Sequence, residues 1–82
     1  MPSDDVATKV RQIIAKTLQI DISDVTDDID IVHDLGAKSL MQAAIVFDIE
    51  DEYRLEFKDR LPRQVGKLIE YVKKEIQERY RT

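Results

Sequence analysis

Residues 20–38 keep no regular period, yet they set Ile20, Ile22, Val25, Ile29, Ile31, Val32 and Leu35 among Asp21, Asp24, Asp27, Asp28, Asp30 and Asp34. A free linker would not hold so many aliphatics, since burying them favours order. The stretch therefore reads as a long loop, its aliphatics anchored to a core and its acids facing water. Loops of this length inside a compact domain are uncommon and often functional. The segments on either side of it are helical in pattern. That limits the chain to a small helical bundle with one long structured loop.

The first helix follows from Val6, Val10, Ile13, Ile14 and Leu18 at helical spacing, ending near Gln19. Ser3 can cap its start, and Asp4 and Asp5 complement the positive end of its dipole. A second helix begins at or next to Ser39 and runs to about Tyr53. At 100° per residue, Ile45, Val46, Ile49 and Tyr53 fall on one side, while Leu40, Ala44 and Phe47 lie nearly opposite. Such a helix is either wholly buried or binds something with its second face. After a connector containing Leu55, Phe57 and Leu61, Pro62 suits the first turn of a last helix. That helix carries Val65, Leu68, Ile69, Val72, Ile76 and Tyr80, with Glu70/Lys74 and Glu75/Arg79 as i,i+4 pairs on its outer side. The expected class is all-α: a small bundle of three principal helices with a long structured loop after the first.

Eighty-two residues make one domain, 1–82, with a stability of about 3–5 kcal/mol from a single core. A deep solvent-excluded active site would use up much of that interior, which argues against an enzyme. With no cysteine, disulfides, thiolate metal sites and thiol nucleophiles are excluded. The start Met1-Pro2-Ser3-Asp4-Asp5 has neither a basic region nor an apolar run, so a secretory signal is not expected and a cytoplasmic location is. Charge is uneven. Residues 1–37 carry eight acids and three bases, 38–57 five acids and two bases, and 58–82 eight bases and four acids. The first two thirds therefore favour basic partners and the last third does not.

Ser39 opens the apolar run of the second helix, and with Gln42 three residues on it fits a capping box. On that reading its role is structural. Its setting permits another. Gly36 allows a tight backbone turn, the helix start offers free N–H groups and positive potential for a phosphate, and the stripe Leu40-Ala44-Phe47 can meet a partner.

Asp34-Leu35-Gly36-Ala37-Lys38-Ser39-Leu40 resembles the D-L-G-x-D-S-L signature of the acyl carrier proteins. The resemblance extends to Val10–Ile14, Asp24-Val25-Thr26, Glu50–Tyr53 and Val65–Val72, nearly the whole chain. It implies that Ser39 carries 4′-phosphopantetheine, attached by a separate phosphopantetheinyl transferase from coenzyme A with Mg²⁺. The arm's thiol would hold acyl groups as thioesters for synthases and other acyl-modifying enzymes of fatty acid, polyketide or related metabolism. A tethered substrate is presented at high effective concentration, and the carrier itself catalyses nothing. By the same resemblance Lys38, Leu40, Met41, Ala44, Phe47, Glu50 and Asp51 face partners; separately, a monomer is expected.

Three departures from that pattern point to a specialised member. Lys38 stands where the family has aspartate, a residue that helps recruit basic partner enzymes. Met41 and Ala44 replace frequent acids, which makes docking more apolar and less salt-sensitive. The connector Lys58–Gln64 is about three residues shorter than the family's, which implies that its short third helix is lost or fused to the last. Lys38 also keeps open a rival reading, an unmodified carrier-like adaptor that binds a protein partner through the Leu40/Ala44/Phe47 face. His33 reads as a solvated loop residue, and Asp28-Ile29-Asp30 lacks the spacing and glycine of a calcium loop, so no metal site is expected. Lys67, Lys73, Lys74, Arg79 and Arg81 are interspersed with acids, the mark of a solvated face rather than of a nucleic-acid or membrane surface.

Overall fold

A computed structural model describes residues 2–80, with side chains from Asp5 onward. Three helices carry the fold: α1 (Pro2–Leu18), α2 (Ser39–Tyr53) and α3 (Val65–Arg79). No β-strand forms among the described residues, and the only pairing of that kind is an isolated antiparallel bridge between Asp30 and Gln64. Helix α1 lies against both α2 and α3, which touch each other less. Lys9 of α1 pairs with Glu52 near the end of α2, and Tyr53 at that end feels the charge of Asp5 near the start of α1, so these two run antiparallel. The Tyr80 hydroxyl after α3 donates to the Tyr53 carbonyl at the end of α2, so these two run in the same direction.

The core is the one that the periodicity anticipates. Val6, Val10 and Ile14 meet Ile45 and Ile49 of α2 and Val65, Leu68, Ile69 and Val72 of α3, all buried. The long loop adds Val25, Ile31 and Ala37. Ile20, Ile29, Val32 and Leu35 pack partly against this cluster. Ile22 does not: it is 41% exposed on a single 3-10 turn, Ile22–Asp24, because Asp21 caps that turn and rolls its aliphatic outward.

The loop's acids do more than face water. Asp21 accepts from the Ser23 N–H and hydroxyl, both at 3.0 Å. Asp30 accepts from the Val32 N–H at 2.8 Å and the His33 N–H at 2.7 Å, while the Asp34 carboxylate accepts from the Asp30 N–H at 2.9 Å. Each such bond satisfies a backbone donor that no helix or sheet supplies with a partner. The His33 N–H above all holds the Asp30 carboxyl below its ordinary 3.8; desolvation opposes it, and the Val32 N–H and the charges of Arg63 and His33 add to the lowering. A carboxyl lowered on folding stabilises the fold above its unfolded value, and that contribution is lost as pH falls through the folded value. Asp30→Asn is therefore expected to melt below wild type at pH 7, with the two melting temperatures converging below pH 4. Parallel pH profiles would contradict this role.

Several local expectations are corrected. Helix α1 already includes Ser3, and the side chains of Ser3 and Asp4 lie outside those described, as does Arg81. No third helix forms in residues 54–64, neither separate nor fused, and α3 starts at Val65 rather than at Pro62. Because α2 and α3 run the same way, the connector must travel back along all of α2, about 20 Å at 1.5 Å per residue. Eleven residues can reach about 36 Å, so 54–64 cover that distance as an extended, helix-free stretch with length to spare. Pro62 lies in this extended stretch. The Glu70/Lys74 and Glu75/Arg79 pairs do not close; among the described residues the ion pairs are Lys9–Glu52 and Arg11–Asp27. No helix among the described residues is long and apolar enough to cross a membrane.

Candidate functional site

The approach to Ser39 is built by the end of the loop. Gly36 takes φ +71°, a conformation that side-chain-bearing residues resist, and its N–H donates to the Val32 carbonyl at 3.0 Å. Ala37 is buried, with its N–H donating to the Ile31 carbonyl at 2.9 Å. With Ala37 fixed in the core, the next residue is extended, and Lys38 rather than Ser39 becomes the residue before the helix, at φ −84° and ψ 167°. The capping box therefore does not form. Lys38 makes no side-chain cap, and Gln42 Nε2 donates instead to the Ala37 carbonyl at 3.1 Å.

Ser39 is thus the first residue of α2 and is exposed. Its hydroxyl stands at the positive end of the helix dipole, one residue after the exposed Lys38, where a phosphate-linked group is electrostatically favoured. An arm leaving this oxygen meets open solvent. The residues present suit such a group.

Beside Ser39 lies a cleft of about 490 Å³. Its floor is Ile31, Ile45 and Leu68, and its far wall is the connector from Phe57 to Arg63. The connector is pinned at both ends. At one end the Phe57 N–H donates to Glu50 Oε2 at 2.8 Å, and the Phe57 ring packs tilted on Tyr71 with centroids 5.7 Å apart. At the other the Ile31 N–H donates to the Arg63 carbonyl and the Val65 N–H to the Ile29 carbonyl, both at 2.9 Å.

The residues expected to face partners are mostly exposed. Leu40 is 83% exposed, Phe47 66% and Met41 39%, with Lys38, Ala44 and Asp51 also on the surface. They form one strip running away from Ser39. Glu50 is the exception: half-buried, its carboxylate is used to hold the Phe57 amide. The sequence also gave no warning that Arg60 and Arg63 would share the cleft with Ser39. Their basic character was visible, but their position depends on α2 and α3 running the same way.

A bundle that displays a helix-start serine beside an uncovered apolar strip has the form of a carrier domain. The family model described as the phosphopantetheine attachment site matches residues 8–62. The chain is similar to the acyl carrier protein of Thermotoga maritima, 32% identical over 76 residues that cover 89% of this chain and 94% of the relative. It is likewise similar to those of Guillardia theta, 35% identical with 83% and 84% covered, and Solidesulfovibrio magneticus, 36% identical with 77% and 81% covered. The chain belongs to the acyl carrier protein family. It is a carrier rather than a catalyst, and its prosthetic group is 4′-phosphopantetheine.

Proposed function

We propose that the Ser39 hydroxyl is the point at which a phosphopantetheinyl transferase attaches the arm, and that this single domain serves a specialised branch of acyl metabolism in the cytoplasm, as a monomer. The carrying observation is the exposed serine opening α2, held out by the bonded Gly36–Ala37 turn. When bound, the arm supplies a thiol that holds an acyl group as a thioester. The chain's own residues set where that thiol can go. Gly36 and Ala37 fix the root of the arm, Lys38 and the helix start favour its phosphate, and Leu40, Met41, Ala44 and Phe47 offer apolar contact to each successive enzyme. Asp51 adds an exposed acid at the far end of the strip.

Fatty acid, polyketide or related acyl chemistry all suit this arrangement. The features that separate this chain from a housekeeping fatty acid carrier are Lys38, the apolar Met41 and Ala44, and the helix-free connector. Lys38 also supports the adaptor reading, in which the same strip binds a protein and Ser39 stays unmodified.

Intact mass decides between the two. Incubation with coenzyme A, Mg²⁺ and a broad-specificity transferase is expected to add one phosphopantetheine to the native chain and none to Ser39→Ala. A gain on Ser39→Ala would move the attachment elsewhere. No gain on the native chain, even with the transferase of its own cell, would favour the adaptor.

A further inference from the structure

We propose that the enzymes docking over Ser39 present carboxylates around the entrance to their active sites, matched to a cationic collar of Lys38, Arg60 and Arg63. The proposal rests on Ser39 being the attachment point, and it identifies the chemistry of the partners that reach it.

Lys38 adjoins the serine on the exposed side, and Arg60 and Arg63 line the cleft that Ser39 also lines. None of the three is in an ion pair among the described residues. Two loop acids before Lys38 are engaged otherwise. Asp30 accepts from two backbone amides, and Asp34 turns back onto the Asp30 N–H. Arg63 does act on Asp30, lowering its carboxyl pKa, but at a distance rather than through a contact. Asp59 is the one acid on the cleft rim, against two guanidinium groups. The first turn of α2 contains no acid, and a lysine sits before it, at the helix end that prefers negative charge and an accepting side chain. Lys38 therefore serves the helix only through its backbone carbonyl, which accepts from the Gln42 N–H, and its side chain caps nothing.

At the other end of the strip Asp48, Asp51 and Glu52 are exposed. Twelve residues of helix separate Ser39 from Asp51, about 18 Å. That is more than twice the ~8 Å screening length at physiological salt. A partner lying along α2 thus reads two separate fields: positive around the serine, apolar along Leu40, Met41 and Phe47, and negative beyond. Charge complementarity then calls for an acidic rim, an apolar shelf and a basic far edge.

Docking can be tested without chemistry by using the full chain carrying Ser39→Ala, which removes the hydroxyl and leaves the collar. Its affinity is measured for a broad-specificity transferase with a basic docking groove, and for a form of that transferase whose groove lysines and arginines facing the helix start are changed to glutamate. The expected result is about tenfold tighter binding to the glutamate form at about 0.02 M salt, shrinking toward equality at about 0.3 M. Adding Lys38→Asp should reverse the preference. Equal or tighter binding to the basic form, or a preference that Lys38→Asp leaves unmoved, would overturn the collar as a docking determinant. The attachment reading is scored separately, by mass on the native chain, so either can fail alone.

Discussion

Ile14→Ala is expected to leave a large part of the chain unfolded in water at 25 °C. Ile14 is fully buried in the C-terminal half of α1, the helix against which both others lie. Truncation removes three methyl or methylene groups from a site that three elements enclose, so collapse around the gap is limited. Such substitutions cost about 2–5 kcal/mol. A core of this size supplies about 3–5 kcal/mol in total. The loss is therefore comparable to the whole stability. With a urea dependence of about 1–3 kcal/mol per molar, the midpoint should fall by about 0.7 M or more, and helical circular dichroism should already be reduced before any urea is added. Ile22→Ala serves as the control, because Ile22 is exposed on its 3-10 turn and its loss should shift the midpoint little. A midpoint for Ile14→Ala near that of the control would mean that α1 is not the shared wall of the core.

That Ile14 could be chosen from the sequence at all reflects how plainly a 3.6-residue period marks a buried stripe. Val6, Val10 and Ile14, Ile45 and Ile49, and Val65, Leu68, Ile69 and Val72 are all buried where their spacing places them. The unburied second face of α2 was equally legible, since one helix cannot hide both Ile49 and Phe47 in so small a bundle. Helix ends were harder to read. Both α1 and α2 stop at a non-glycine residue in the left-handed region, Gln19 at φ 56° and Arg54 at φ 55°. The Ile20 amide closes back on Ala15 and the Leu55 amide on Glu50, so the capping geometry is present without the glycine that usually advertises it.

The site divides in the same manner. Ser39 was visible because its surroundings are local: a glycine turn, a helix start and an apolar run lie within a few residues of one another. The capping box was the wrong local inference, because burial of Ala37 sets the helix phase one residue earlier than the serine-glutamine spacing implies. The neighbourhood of Arg60 and Arg63 could not be read locally. It follows from a connector that must retrace α2, and that path is fixed by the α3 contacts of Val65 and Tyr80, far apart in sequence. The diversion of Glu50 to the Phe57 amide has the same tertiary origin.

Gly66→Val is expected to lower the melting temperature by roughly 5–20 °C, for a reason that the sequence alone conceals. Gly66 sits in the first turn of α3, and its N–H donates to the Asp27 carbonyl at 2.9 Å. A Cβ added there would lie 3.1 Å from the Asp27 oxygen and 3.2 Å from the Asp27 Cβ. With alanine, the tight contact competes with the ~1 kcal/mol that a helix gains when glycine is replaced, so the two effects roughly cancel. Valine adds two methyl groups on that crowded carbon, and the loop must move. Such overpacking costs about 1–3 kcal/mol, each kcal/mol being worth about 4–8 °C in a domain this small. Asp27 cannot retreat freely, because its carboxylate pairs with Arg11 on α1, and the neighbouring Ile29 carbonyl is held by the Val65 amide. Three elements thus converge on a contact that only a missing side chain permits. Amide chemical shifts should move at Asp27, Ile29 and Val65, while those of Gln42 and Val46 on α2 stay in place. Wild-type stability with the Asp27 amide unmoved would show that the loop gives way easily, and that the close approach at Gly66 is not what joins it to α3.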